Sequence, residues 1–321
     1  MKDQIVSNIE AVAGKPLLTT HPVIDTLAGR LRPLAARVNA ELSRNRTPWQ
    51  PFAELASLDS RRSFVKAATH LLPQAAFDTT RLLAVQPPDD IHRMQRSDPY
   101  WIGDFFSANM IVHALRACRL DRPDQTVLDI GCSSGSLVRM LAAYEGSWSL
   151  HGCDPIASAI DWAQAHVPTG RFFHMNLKPP LDLDDASLDG VTAISVWSHH
   201  RPDAAELWMA EVARVLRPGG WFAVTFSSLH HVRWLARNPR VRAAELEAML
   251  RSLAQSGNHF VPVRYKGEDA DTDVDWGQSC YARERFFGMA YAWFDVAGYF
   301  PGLNQGNQDV AVLVRRGGGQ P

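Results

Sequence analysis

Cysteine is scarce in this 321-residue chain: Cys118, Cys132, Cys153 and Cys280 are the only four, and no two form a C-x-x-C pair. That spacing argues against a disulfide framework or a thiolate zinc site and for reduced thiols. No apolar stretch approaches the ~20 residues that a membrane-spanning helix needs. The opening residues Met1-Lys2-Asp3-Gln4 run into mixed polar sequence without the apolar core of a secretion signal, so a cytoplasmic protein is expected. An excess of either charge is lacking too, with 33 Lys and Arg against 34 Asp and Glu and a formal net charge of −1. Without a basic field, neither nucleic acid nor an anionic membrane is an expected partner. The arginines from Arg233 to Arg242 read as the polar face of a helix. There is no internal repeat and no sign of oligomeric state.

What is present is a chain with a core. Apolar residues make up 46% of it and charged residues 21%, an ordinary balance for a globular domain. Residues 1–95 read as helices broken by prolines, with Ile24, Leu27, Leu31, Leu34 and Val38 at helical spacing and a second helix over 60–72. Pro87-Pro88-Asp89-Asp90 marks a boundary, because consecutive prolines cannot continue a helix. The expected organisation is an N-terminal helical cap or lid over 1–95 and a cofactor-binding domain over 96–321.

From Thr126 the pattern alternates. Strands are predicted over 126–130, 147–153, 171–177, 190–197 and 221–227, with helices over 137–144, 157–166 and 204–216 between them. That order implies right-handed crossovers and a mostly parallel sheet covered on both faces, an α/β Rossmann-like fold. A further helix is expected over 239–255. Strands over 294–300 and 309–314, joined by the turn-rich residues 302–307, predict an antiparallel C-terminal hairpin at the sheet edge.

In such a sheet, ligands lie beyond the carboxyl ends of the strands. The first strand runs into Asp129-Ile130-Gly131-Cys132-Ser133-Ser134-Gly135, where glycines permit a sharp turn and a close backbone approach. The second ends in Asp154-Pro155, where a carboxylate can accept both hydroxyls of an adenosine ribose. A nicotinamide-dinucleotide oxidoreductase is the rival reading, but its G-x-G-x-x-G fingerprint is missing. Asp129 would also oppose a pyrophosphate, whereas it suits a cationic sulfonium cofactor.

These residues resemble the first two motifs of class I S-adenosylmethionine-dependent methyltransferases, a likeness that extends over roughly residues 100–315. The resemblance implies that Asp129, Gly131, Ser133 and Gly135 shape the methionine pocket and that Asp154, with Pro155, holds the ribose. The family often has glycine where this chain has Ser133. Asn176 and Leu177 stand where the family flanks the adenine, Val196 and Trp197 beside the methyl group, and Leu216-Arg217-Pro218-Gly219-Gly220 at the turn before the fifth strand. The product would be S-adenosylhomocysteine. A cofactor-binding module without catalysis carries the same motifs.

Methyl transfer needs alignment above all, and a hydroxyl acceptor profits from a general base. His199 and His200, after the fourth strand, are the candidate bases; a structural cap on that turn is the competing reading. His151 and His174 read as packed residues. Tyr100, with Trp101, either closes over the cofactor or packs a helix. The acidic run Asp269, Asp271, Asp273, Asp275 lacks the glycine and glutamate of a calcium loop and reads as a solvated loop, so no metal is expected. Aromatics among the unshared segments, Phe260, Tyr265, Trp276 and Tyr281, suit a sugar or similar small-molecule or glycan acceptor, methylated on oxygen. N-methylation of a small amine is the alternative within the family.

Overall fold

A computed structural model describes residues 2–5, 7, 18–92, 98–262 and 275–317. The chain divides into two compact units: Thr19–His113 with Asp121–His174, and Met1–Leu18 with Ala114–Leu120 and Met175–Pro321. The strands form a seven-stranded sheet in the order β3-β2-β1-β4-β5-β9-β8, and a separate ribbon pairs β6 with β7. The α/β fold is therefore mostly parallel with an antiparallel C-terminal hairpin, as the strand-helix alternation requires.

In the first of these units β1 (Thr126–Ile130), β2 (Ser149–Asp154) and β3 (Arg171–His174) pair in parallel. Helices α1 (Pro22–Leu31), α2 (Ala35–Leu42), α3 (Leu58–Leu71) and α4 (Pro73–Thr80) precede them, followed by the short α5 (Asp89–His92) and by α6 (Phe105–Ala117). The periodic residues Ile24, Leu27, Leu31 and Val38 are fully buried, although a 3-10 turn at Arg32–Leu34 splits the one helix expected there into two. The first turn of α1 has no side-chain cap of its own. Asn109, on α6, replaces it by accepting from the N–H groups of Val23 (3.0 Å) and Ile24 (3.3 Å). α1 also packs against α3, α4 and α7 (Ser136–Tyr144), so these helices share a compact unit with β1 to β3. α8 (Ala157–His166) covers β2 and β3.

The other unit holds β4 (Leu188–Ala193) parallel to β5 (Leu216–Ser227), then β9 (Gln308–Arg315) and β8 (Phe294–Asn304), both antiparallel. Gly190 sits opposite Trp221, and a Cβ there would lie 2.2 Å from the indole, so only glycine lets that fully buried ring cross the strand. α9 (Pro202–Val215) starts on a proline, whose missing N–H costs nothing at a helix N-terminus. Arg217-Pro218-Gly219-Gly220, expected as a breaker, ends α9 and is also the beginning of β5. The helix expected over 239–255 is α11 (Ala243–Ser256), and a shorter helix, α10 (Leu229–Ala236), precedes it. The ribbon of β6 (Asn258–Pro262) and β7 (Gly277–Tyr281), followed by α12 (Arg283–Ala290), was not foreseen. The hairpin turn is tighter than expected, since the strands extend to Asn304 and start again at Gln308. No helix among the described residues is long and apolar enough to cross a membrane.

Candidate functional site

The glycine turn leaves the carboxyl end of β1. The N–H groups of Gly131 and Cys132 both donate to the Cys153 carbonyl, at 2.8 and 3.1 Å, which ties the turn to β2. Ser133 takes a left-handed conformation (φ 48°), which a non-glycine residue adopts only uncommonly. Its N–H donates to Asp154 Oδ2 (2.8 Å), while Ile156 N–H donates to Oδ1 (2.9 Å). Two backbone donors therefore fix the orientation of a carboxylate only 5% exposed; Asp129 is equally buried. Gly135, at φ 76°, opens α7, and a Cβ there would meet the Phe172 ring at 2.8 Å. Ser134 Oγ is buried with no hydrogen-bond partner among the described residues.

Burial, with the charges of Asp129 and Asp154, pushes the Cys132 and Cys153 thiols well above their ordinary range. Neither is a nucleophile at neutral pH. The turn presents two buried carboxylates and the Ser134 hydroxyl, while the N–H groups of Gly131, Cys132 and Ser133 are spent within the fold. That set fits an ammonium-bearing sulfonium nucleoside and lacks the cation or bare glycine cradle that a pyrophosphate would want.

Around the turn, Pro155 is half-buried and its carbonyl accepts from His174 Nε2 (2.8 Å). His174 itself is exposed rather than packed. Tyr100 packs against Trp49 (centroids 4.4 Å) and edge-on to His70 (5.2 Å), and its N–H donates to Asp98. Trp101 and Trp162 flank the fully buried Arg139 guanidinium, at 5.1 and 5.5 Å.

In the other unit, Asn176 and Leu177 lie exposed beyond β3, with Leu177 45% accessible. Val196 and Trp197 are buried, and the Trp197 indole packs on Phe222 (5.0 Å). His199 is half-buried, stacks on Trp276 (4.8 Å) and places Nδ1 2.7 Å from the Gly277 carbonyl. A carbonyl only accepts, so Nδ1 carries the proton and Nε2 presents its lone pair. His200 is 7% exposed between Trp197, Trp208 and Trp276, and burial lowers its pKa to about 4. Burial also lowers His199 and His231, with the His199 imidazole adding to the effect on His231.

Asp275 corrects one expectation. It is no solvated loop residue but a buried carboxylate, 3.1 Å from Lys178 Nζ and 2.9 Å from Arg201 Nη2. Asp269, Asp271, Asp273 and Tyr265 lie outside the described residues. Arg233 likewise departs from the expected polar helix face, being 3% exposed, whereas Arg237, Arg240 and Arg242 are exposed.

Residues 127–220, which include the turn, Asp154 and the histidines, match the model of a methyltransferase-domain family. That segment carries a methyltransferase domain. A fatty-acid O-methyltransferase of Mycolicibacterium smegmatis is 28% identical over 156 residues, 48% of this chain and 54% of that relative. An uncharacterized methyltransferase of Mycobacterium tuberculosis is 33% identical over 102 residues, 32% of this chain and 40% of the relative. The chain thus spans about half the length of the curated relatives it matches. Among solved structures, a methyltransferase from Methanosarcina mazei aligns with 18% identity and a TM-score of 0.46, covering 64% of this chain and 97% of its own.

Two polar constellations escaped the sequence reading. Asp309, fully buried, accepts from His230 Nδ1 (2.8 Å), Gly302 N–H (2.7 Å) and Tyr299 Oη (2.5 Å). Gln308 Oε1 accepts from Ser195 Oγ (3.0 Å), Thr225 Oγ1 (2.9 Å) and Asn304 Nδ2 (2.8 Å). The signal available was Asn307-Gln308-Asp309, three polar residues opening a strand that is otherwise apolar.

Proposed function

We propose that this chain transfers a methyl group from S-adenosylmethionine to a hydroxyl oxygen of a sugar or similar polar small molecule. The observation that carries the reading is the Asp154 carboxylate, buried at the end of β2 and aimed by the N–H groups of Ser133 and Ile156. A carboxylate held this way is preorganised to accept ribose hydroxyls. Asp129, Gly131, Ser133 and Gly135 would receive the methionine end, where Asp129 offers its charge to the ammonium group. Pro155 would border the ribose, Asn176 and Leu177 the adenine, and the exposed apolar surface of Leu177 suits a nucleobase. Val196 and Trp197 form the wall after β4, and Tyr100 a more distant aromatic support.

When bound, S-adenosylmethionine supplies a methyl group on a sulfonium that is already a good leaving group. The chain's own task is then to orient the acceptor and receive its proton. We assign the proton to His199 Nε2, whose partner nitrogen is fixed by the Gly277 carbonyl. His200, buried among indoles, positions that turn, and the helices of residues 1–95 contribute to acceptor selection.

The relative that methylates fatty acids favours a second reading, O-methylation of a carboxylate, which needs no base. One assay separates them: methyl-tritiated S-adenosylmethionine is offered with a panel of simple glycosides and a panel of alkanoates. Transfer to a glycoside that drops ~100-fold or more in His199→Ala, with cofactor affinity intact, is the expected result. Transfer to alkanoates alone, insensitive to His199, would replace the first reading by the second.

A further inference from the structure

The side chain of Gln308 is buried to 6% exposure at the start of β9, and that of Asn304 to 8% at the end of β8. Three donors converge on Gln308 Oε1: the hydroxyls of Ser195 and Thr225 and the Asn304 amide. Thr225 Oγ1 itself accepts the Ser195 N–H at 2.7 Å, so its own proton is available for Gln308. These contacts settle which way the Gln308 amide faces. Its oxygen is spent within the fold, and its nitrogen is turned away from all three donors. Asn304, having given Nδ2 to Gln308, keeps its own oxygen on the other side of its amide.

Among the described residues, Gln308 Nε2 donates to no group and Asn304 Oδ1 accepts from none. Neither atom is fully buried, so each reaches solvent or a ligand at this point of the fold. Ser195 stands two residues past β4, and Asn304 and Gln308 face each other across the hairpin turn, so the pair lies at the carboxyl ends of β4 and β5. Ligands of open α/β sheets are bound at that end.

We propose that Gln308 Nε2 and Asn304 Oδ1 are the acceptor-recognising groups of this enzyme, and that they select a neutral polyhydroxylated molecule, a sugar. A hydroxyl both donates and accepts, so a diol satisfies both atoms at once. A carboxylate only accepts: it would suit Gln308 Nε2 and leave its charge facing the Asn304 oxygen. Ser195 and Thr225 are positioning residues that hold the amide in this orientation. This inference deepens the proposed function and rests on it.

The test uses the full chain saturated with S-adenosylhomocysteine and ligand-observed saturation-transfer NMR. The probes are methyl α-glucoside, methyl α-galactoside, methyl α-mannoside and hexanoate. Gln308→Glu keeps the oxygen that accepts inside the fold and changes only the outward atom; Gln308→Met is the uncharged second variant should a buried carboxylate prevent folding. At least one glycoside is expected to bind the wild type, and its affinity to fall ~10-fold or more in the variants, as loss of a hydrogen bond to a substrate hydroxyl implies. S-adenosylhomocysteine affinity should stay at the wild-type value in both. Binding of hexanoate alone, of no glycoside, or of glycosides equally by wild type and variants would overturn the assignment. A wild type that does not bind S-adenosylhomocysteine would remove instead the cofactor reading beneath it.

Discussion

At Asp154 the account depends on a single side chain. Both its oxygens are aligned by backbone donors, so Asp154→Ala removes a preorganised acceptor and loosens the Ser133 turn together. Affinity for S-adenosylmethionine should fall ~10-fold or more, read by calorimetry, because charge-assisted hydrogen bonds are the strong ones. His200 makes a different prediction. Its native pKa is depressed to about 4 from 6.5, so between these values the unfolded chain binds a proton that the native chain refuses. Stability is then intact above pH 6.5 and falls as pH drops toward 4, by about 3 kcal/mol for this residue. Urea midpoints taken from pH 7 to pH 4 should shift less in His200→Gln than in the wild type. An equal shift in both would show that His200 is not the group responsible. The two residues also differ in legibility: Asp154 was readable because a strand-ending acid has a defined place in the pattern, whereas nothing in Ser-His-His announces that Trp197, Trp208 and Trp276 enclose one imidazole.

Elements are where packing replaces pattern. The β1 turn was legible down to its glycines, yet the reason Gly135 must be glycine is Phe172, a contact from β3 that local sequence does not contain. Gly135→Ala combines a left-handed alanine with that clash and should cost about 2 kcal/mol or more in unfolding free energy. At the hairpin, Asp309 ties α10 to β8 through His230 and Tyr299. Removing a buried carboxylate with three donors leaves them stranded, so Asp309→Ala should destabilise by about 3–5 kcal/mol. A loss below ~1 kcal/mol, the scale of an exposed ion pair, would contradict this packing. The hairpin was foreseen from its turn residues, but its polar interior was not, because Asn304, Gln308 and Asp309 resemble ordinary turn formers until their partners are known. The β6–β7 ribbon was missed for a related reason: its strands are short and lie on either side of the acidic segment.

At the scale of the molecule, alternation of strands and helices specified the sheet, and the helices of residues 1–95 proved the least legible part. Their apolar periodicity was plain, but what they pack against was not. α1 is capped by Asn109 and buries Val23, Ile24, Leu27 and Leu31 against its neighbours. Deleting residues 1–90 should therefore expose this surface on α6 and α7, and the remainder should bind a hydrophobic dye and lose its cooperative unfolding. A truncated chain that melts as sharply as the whole would show the helices to be a dispensable lid.

The measurement that tests the central claim most directly is calorimetric titration of the full chain with S-adenosylmethionine, with NAD alongside and Asp154→Ala in parallel. The account predicts saturable one-site binding of the sulfonium compound, weakened in the variant, and no heat from NAD. Binding of NAD, or of S-adenosylmethionine with equal affinity by both proteins, would contradict it.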